Sequence, residues 1–408
     1  MRKGAVAREG YKKTELGWIP EDWEVRRLGE SCELLKDGTH SSHIDVEPSQ
    51  GLPLLSAKDI NNGKIFFSQE SRHISEVDFK QIHKSYFLSD GDILLTIVAS
   101  IGRVAVVENY ERNYTIQRSI AVIRLRKQFY NYFYFYFFQC LYFQKELIQR
   151  SNASAQAGVY LGELSKIKIP LPPLPEQKKI AEILSTWDEA IEKLNSYIEA
   201  KKKLKKALMQ RLLTGKQRFK EFVVKDGYKK TELGWIPEDW EVKRLGESIN
   251  IQYGKSQSTL KPGVYPIVGT SGICGYGNQY LYDGESLVIG RKGTIDNPFF
   301  ITNKFWVIDT AFYVDKFYFC LPYFIFYASR VINWKSYSEA SGVPSLNRET
   351  IKSIKIPLPP LPEQKKIAEI LSKADEEIDL LNQELEKLKT QKKGLMQKLL
   401  TGAWRVKL

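Results

Sequence analysis

Residues 167–185, IKIPLPPLPEQKKIAEILS, recur without a change as residues 354–372. Each copy opens a helical pattern that closes on Thr-Gly, at Thr214-Gly215 and Thr401-Gly402, and both ends keep an offset of 187 residues. A long internal repeat governs the reading of the rest, because it makes the chain two halves on one frame. The start of each half repeats too. Residues 10–30, GYKKTELGWIPEDWEVRRLGE, return as 227–247 with only Arg26 changed, to Lys243, and with an offset of 217. The change of offset falls within residues 31–166 and 248–353, which share little sequence. The frame is duplicated and the two inserts have diverged.

IPLPPLP cannot be helical, since proline removes backbone donors and keeps the preceding residue out of the α region; it reads as a stiff extended connector. Pro175 and Pro362 suit the first helical position, with an acidic residue following near the positive end of the helix dipole. Beyond them Leu371, Ala374, Ile378, Leu381, Leu385, Leu388, Lys392, Leu395 and Leu399 alternate steps of three and four, the spacing of a coiled-coil seam. The first copy repeats the stripe as Leu184, Trp187, Ile191, Leu194, Ile198, Lys201, Lys205, Leu208 and Leu212. Each seam needs a partner, and the other copy is the simplest one. About 38 residues of helix span roughly 57 Å. The link from Lys216 to Asp226 reaches only about 36–40 Å when extended, so an antiparallel pair is expected and a parallel one is not.

The composition sets limits on function. The chain has 408 residues and a formal net charge of +13. The 31–166 block carries 15 basic and 14 acidic residues, and the 248–353 block 10 and 7, so most of the excess lies on the repeated frame. Charge alone supports polyanion binding weakly, because a solvated helix face explains much of it. Cys32, Cys140, Cys274 and Cys320 are scattered without C-x-x-C spacing, and no leader is read at the start, which points to a reduced, cytoplasmic setting. His40 and His43 stand at H-x-x-H with nothing to complete a metal site, so no metal is expected. The aromatic run 129–143, FYNYFYFYFFQCLYF, falls short of the roughly 20 apolar residues that span a bilayer and reads as a buried helix; 317–334 is its analogue.

Residues 1–9 read as a basic lead-in, and Trp18 and Trp23 as anchors against a neighbouring domain. The first block then offers strands in 51–60, 91–100, 101–108 and 118–126, short apolar runs bounded by Gly, Asn and Asp. After the aromatic helix comes a loop at 151–162. The second block offers strands in 264–269, 285–293 and 305–314, glycine-rich turns at 269–277, and a loop at 341–347.

Together the twice-used I-P-L-P-P-L-P-E-Q-K-K-I-A-E-I-L, the Gly342-Val343-Pro344 loop and the G-D-I-L-L and G-R-K-G-T runs resemble the specificity (S) subunit of type I restriction–modification systems, over nearly the whole chain. The first half departs from that pattern at Gly158-Val159-Tyr160-Leu161, which lacks the proline. The resemblance implies an α+β chain of two mixed, strand-rich target recognition domains joined by two long helices in an antiparallel coiled coil, with pseudo-two-fold symmetry. The expected divisions are a lead-in 1–15, a first recognition domain 16–170, a first repeated helix 171–215, a linker 216–232, a second recognition domain 233–357, a second repeated helix 358–402 and a tail 403–408. It implies that each domain reads half of a split double-stranded DNA sequence and that the coil fixes the spacer and docks methyltransferase (M) subunits, two of them. Restriction (R) subunits would join through the complex. The chain itself would be non-catalytic, holding no cofactor; S-adenosylmethionine, ATP and Mg would belong to the partners, and no membrane is involved.

Base readers are sought in loops between strands. Ser100, Gly102 and Arg103 in the first block and Gly290, Arg291, Lys292, Gly293 and Thr294 in the second follow short apolar strands. Glycine lets backbone approach the duplex, arginine matches guanine, and lysine or threonine can hold phosphate. Lys58, Gln117, Arg118 and Gln279 are further candidates, though exposed polar residues on a sheet look the same. Asp296-Asn297-Pro298-Phe299 lacks the paired prolines of an adenine methyltransferase loop, and Cys274-Gly275-Tyr276-Gly277 lacks the third glycine of a dinucleotide loop. Glu241-Val242-Lys243 has its twin in Glu24-Val25-Arg26, where arginine replaces the lysine that a nuclease would need. The competing reading is a coiled-coil adaptor that binds proteins and has no DNA specificity.

Overall fold

The computed structural model describes residues 9–67, 70–84, 86–111, 113–151, 157–340 and 342–408. Most of the 1–9 lead-in and part of the 151–162 loop lie outside these residues. The chain divides into two compact units, one of residues 1–193 with 385–408 and one of residues 194–384. The division falls inside both long helices, Leu174–Leu213 and Leu361–Leu399.

In the first unit the hairpin Tyr11–Thr14/Gly17–Pro20 leads in. A four-stranded antiparallel sheet follows, in the order Val104–Val106, Ile93–Thr96, Ile120–Leu125, Cys32–Asp37. Its two middle strands are buried on both faces. Ile93, Leu95, Ala121 and Ile123 enter one core with the aromatic helices. Leu94, Ile120 and Val122 enter a second core. The two-residue period of a strand thus feeds two cores at once, which is why these runs read as continuously apolar rather than alternating. The second unit repeats the plan. Leu287, Ile289, Phe312 and Val314 face one core, and Val288, Ala311 and Tyr313 the other.

Two sequence expectations are corrected and a third is extended. The glycine-rich segment 269–277 is mostly strand: Gly272–Gly277 pairs antiparallel with Pro262–Gly269, whose ladder overrides the weak propensity of glycine. The aromatic run is two helices, Asn131–Gln139 and Leu141–Arg150, broken at the extended Cys140, where Gln144 Nε2 donates to the freed Phe138 carbonyl at 2.6 Å. The start of the proline-rich connector is extended, as expected, and is also paired. Lys168–Leu171 pairs with Glu24–Arg27, and Lys355–Leu358 with Glu241–Arg244. Two-stranded ribbons tolerate Pro170 and Pro357 because each strand has a free edge.

The repeated sequence is explained by repeated contacts. Trp23 is fully buried, and its indole N–H donates to Glu176 on the first long helix at 2.9 Å. Trp240 does the same to Glu363 at 2.9 Å. The next residue, Gln177, donates to the Pro172 and Gln128 carbonyls and accepts from the Tyr130 N–H; Gln364 serves Pro359, Phe319 and Leu321 alike. The Thr-Gly ends are also forced. Gly402 and Gly215 have φ of 69° and 71°, and a Cβ would fall 2.3 Å from Pro20 and 2.4 Å from Pro237.

Candidate nucleic-acid interface

Within each unit the long helices supply one stretch apiece, running in opposite directions. In the first unit Asp188 bonds Lys392, while the earlier Glu176 bonds Arg405, six residues past the end of the second long helix, so later positions along one stretch meet earlier ones along the other. In the second unit Lys205 meets Asp375 and Arg218 meets Glu363, in the same antiparallel sense. Every stripe position is buried or half-buried. Leu184, Ile198, Leu212, Leu371, Ile378, Leu385 and Leu399 are buried; Trp187, Ile191, Leu194, Leu208, Leu381, Leu388 and Leu395 are half-buried. The off-stripe Leu204 and Leu380 are exposed. The seam lysines Lys201, Lys205 and Lys392 each find a carboxylate, on Glu377, Asp375 and Asp188.

The strand-end loops of each unit form the candidate interface. In the first unit Arg103 Nη1 donates to the Ala57 and Ile60 carbonyls at 3.3 and 3.2 Å, which fastens its turn beside Lys58. Ser119 Oγ accepts from the Ala57 N–H at 3.1 Å, and the Gln117 N–H donates to Leu55, bringing Gln117 and Arg118 to the same place. Thr96 Oγ1 donates to the Ser100 carbonyl, and Gln144 donates to that of Gly102, whose φ of 93° favours glycine and where a Cβ would fall 2.2 Å from Gln144 Oε1. So Lys58, Ser100, Gly102, Arg103, Gln117 and Arg118 are gathered. Arg103 is half-buried and already engaged by backbone, so it holds two loops together; Arg118 is exposed and has no side-chain partner among the described residues. The loop after the aromatic helices is laced into this turn through the Val98–Gly158 bridge and the Val159 N–H to the Ile97 carbonyl.

The second unit builds the same arrangement. The Lys292–Ser345 bridge, Gly293 N–H to Pro344, and Leu346 N–H to Arg291 lace 344–346 into the turn of Gly290 to Thr294. Lys292 and Thr294 are exposed and Arg291 is half-buried. Ser271, at the tip of the 262–277 hairpin, lies 3.4 Å from the Thr294 hydroxyl. Gln279 follows the base of that hairpin beside the Lys261–Asn278 pairing, on the order of 20 Å along the strands from its tip, and is not gathered with the turn. His40 and His43 lie near the first cluster, with His40 2.6 Å from Asp37 and His43 3.2 Å from Asp78. The Ser75 hydroxyl and then His43 hold the Asp78 carboxyl below the usual range.

Sequence reasoning missed the residues that open each cluster. Gly38 N–H donates to Ile120, the first residue of the facing strand, and Gly254 N–H to Ala311, likewise the first of its strand. A Cβ on either glycine would fall about 2 Å from a carbonyl oxygen, 2.1 Å at Gly38 and 2.0 Å at Gly254. These matched glycines mark one frame position, preceded by Asp37 in one unit and Tyr253 in the other. The catalytic look-alikes are tied up structurally: Asp296 pairs with Lys335 at 2.6 Å and Asn297 accepts from Arg330 at 2.7 Å. No helix among the described residues is long and apolar enough to cross a membrane.

Comparison with known proteins identifies the family. Residues 20–202 and 237–390 match the family model of the type I restriction modification DNA specificity domain. A relative in Methanocaldococcus jannaschii, assigned as the MjaX specificity subunit of a type I restriction enzyme, is 32% identical, with 98% of this chain and 97% of that one covered. The MjaVIII specificity subunit of the same organism is 29% identical over the same shares. Among solved structures, the S subunit of the M. genitalium type I restriction–modification system aligns at a TM-score of 0.55 and 19% identity, covering 92% of this chain and 96% of its own. A chain from work on complex assembly and conformational transition of the type I system aligns at 0.56 and 17%, covering 95% and 99%. These two likenesses concern the fold.

Proposed function

The chain belongs to the DNA specificity subunits of type I restriction–modification systems, and from that membership we propose that its two units each read one half of a bipartite double-stranded DNA target. The observation that carries this is the pair of matched frames ending in unlike loops: the same ribbon, sheet and helix contacts present Asp37 and Arg118 in one unit and Tyr253, Arg291 and Lys292 in the other. A scaffold that keeps its supports and changes its tips suits two recognitions of one ligand class. The repeated helices dock the methyltransferase subunits, and restriction subunits join through that complex. S-adenosylmethionine, ATP and Mg reside on those partners, while this chain contributes no chemistry and works in the cytoplasm.

The test is to express the chain with a methyltransferase subunit and map N6-methyladenine across the host genome. One split motif is expected, bound in a salt-sensitive way. Sequence-blind binding with no methylated motif would favour the protein-binding adaptor instead.

A further inference from the structure

At the frame position marked by Gly254, the second unit carries an aromatic ring among cations. Tyr253 is 45% exposed, and Phe312 supports its ring at 5.1 Å. The Arg291 guanidinium lies 5.5 Å from the ring centroid and that of Arg348 5.1 Å. Both distances fall within the range of cation–π attraction. Arg291 is fixed by more than the ring. Its N–H donates to Thr310 at 2.8 Å, its carbonyl accepts from Leu346 at 2.9 Å, and its Nη1 donates to Asp309 at 3.1 Å. Among the described residues no carboxylate pairs with Lys255, Arg291 or Lys292. Arg348 Nε lies 3.5 Å from Glu349, too poorly aligned for a hydrogen bond, and Glu349 takes Lys352 at 3.0 Å.

We propose that Arg291, with its plane set by Tyr253, reads a guanine in the half of the target taken by the second unit, while Lys292 holds a backbone phosphate. This rests on the DNA reading given above and goes further by naming a base and its reader. The reason is geometric. A phosphate needs only charge and tolerates a mobile side chain, as at the exposed Lys292. Bidentate recognition of guanine N7 and O6 needs a planar fork in a fixed plane. Arg291 has that fixity, and only one of its five N–H donors is bonded within the chain. Tyr253 is a positioning residue. At the matching place in the first unit Asp37, held by His40 at 2.6 Å, presents an acceptor, so the two units ask for different base edges.

The test uses the full chain assembled with its methyltransferase subunits and duplexes substituted at each target position, at two salt concentrations. Arg291→Ala should weaken binding of the target on the order of ten- to a hundred-fold. It should relax discrimination at one G·C pair in one half and leave the other half intact, which also reports folding. Arg291→Lys should keep the charge and still lose the discrimination. Lys292→Ala should weaken all duplexes alike and lower the salt slope by about 1. Tyr253→Leu should reproduce the base-specific loss and Tyr253→Phe should not. Equal weakening on every sequence for Arg291→Ala, or unchanged discrimination, overturns the assignment. A wild-type complex that prefers no split sequence removes the DNA reading itself.

Discussion

Lys392 donates to the carboxylate of Asp188 at 2.5 Å, from a seam position where the heptad pattern calls for an apolar residue. The Tyr136 hydroxyl donates to the same carboxylate at 2.8 Å, and Lys392 Nζ lies 5.1 Å from that ring. Lys205, Asp375 and Tyr327 repeat the arrangement, with Tyr327 donating at 2.8 Å. A polar group at a seam position fixes register at some loss of stability. Asp188 is 44% exposed and keeps water when the lysine goes. Lys392→Leu is therefore expected to raise the thermal midpoint by roughly 2–4 °C, as apolar burial outweighs a solvent-screened pair. Lys392→Glu, which opposes like charges, should lower it. A lower midpoint for the leucine variant would show that the ion pair dominates.

Arg218 and Arg405 carry out matched tasks in unmatched surroundings. Each bonds the buried glutamate that takes the tryptophan indole, together with an aspartate, Asp239 or Asp22. Those hydrogen bonds raise the pKa of both guanidinium groups, the glutamate first. Arg218 is 6% exposed and Arg405 42%. Removing one partner of a buried pair costs about 3–5 kcal/mol. Arg218→Ala should approach that range and Arg405→Ala should cost about half as much, read from denaturant unfolding. Equal losses would contradict the role given to burial.

Replacing residues 31–166 with the corresponding block of a relative should change one half of the methylated motif and leave the other. A change in both halves would mean that the units do not read independently.

Thiol reactivity follows burial. Desolvation pushes the Cys32 and Cys320 thiols up to about 12 and raises that of Cys140, while Cys274 is exposed. At pH 8, well below 12, the first two stay protonated and unreactive, since the thiolate is the nucleophile. Iodoacetamide should modify Cys274 alone until denaturant is added, as peptide mass mapping would reveal.

Much of the frame was legible because it rests on periodicity. The three-and-four stripe from Leu371 to Leu399 needs no tertiary information, and its 187-residue echo names the partner. What escaped depends on long-range pairing. Nothing local tells Lys168–Leu171 to bond Glu24–Arg27, since proline weakens the strand signal and the partner lies far off in sequence. Arg218 and Arg405 sit in segments read as linker and tail; only their shared offset could have pointed to them. At the candidate interface, residue type singled out both Arg291 and Arg103 but not their difference. That difference lies in Tyr253 for one and in the Ala57 and Ile60 carbonyls for the other.

The double burial of each central sheet has an evolutionary consequence. Substitutions along Ile120–Ile123 or Leu287–Ile289 disturb one packing layer or the other, so such a strand has no neutral side on which to drift. The residues just before Gly38 and Gly254 belong to neither layer. A lineage can therefore exchange a few tip residues without passing through an unfolded ancestor.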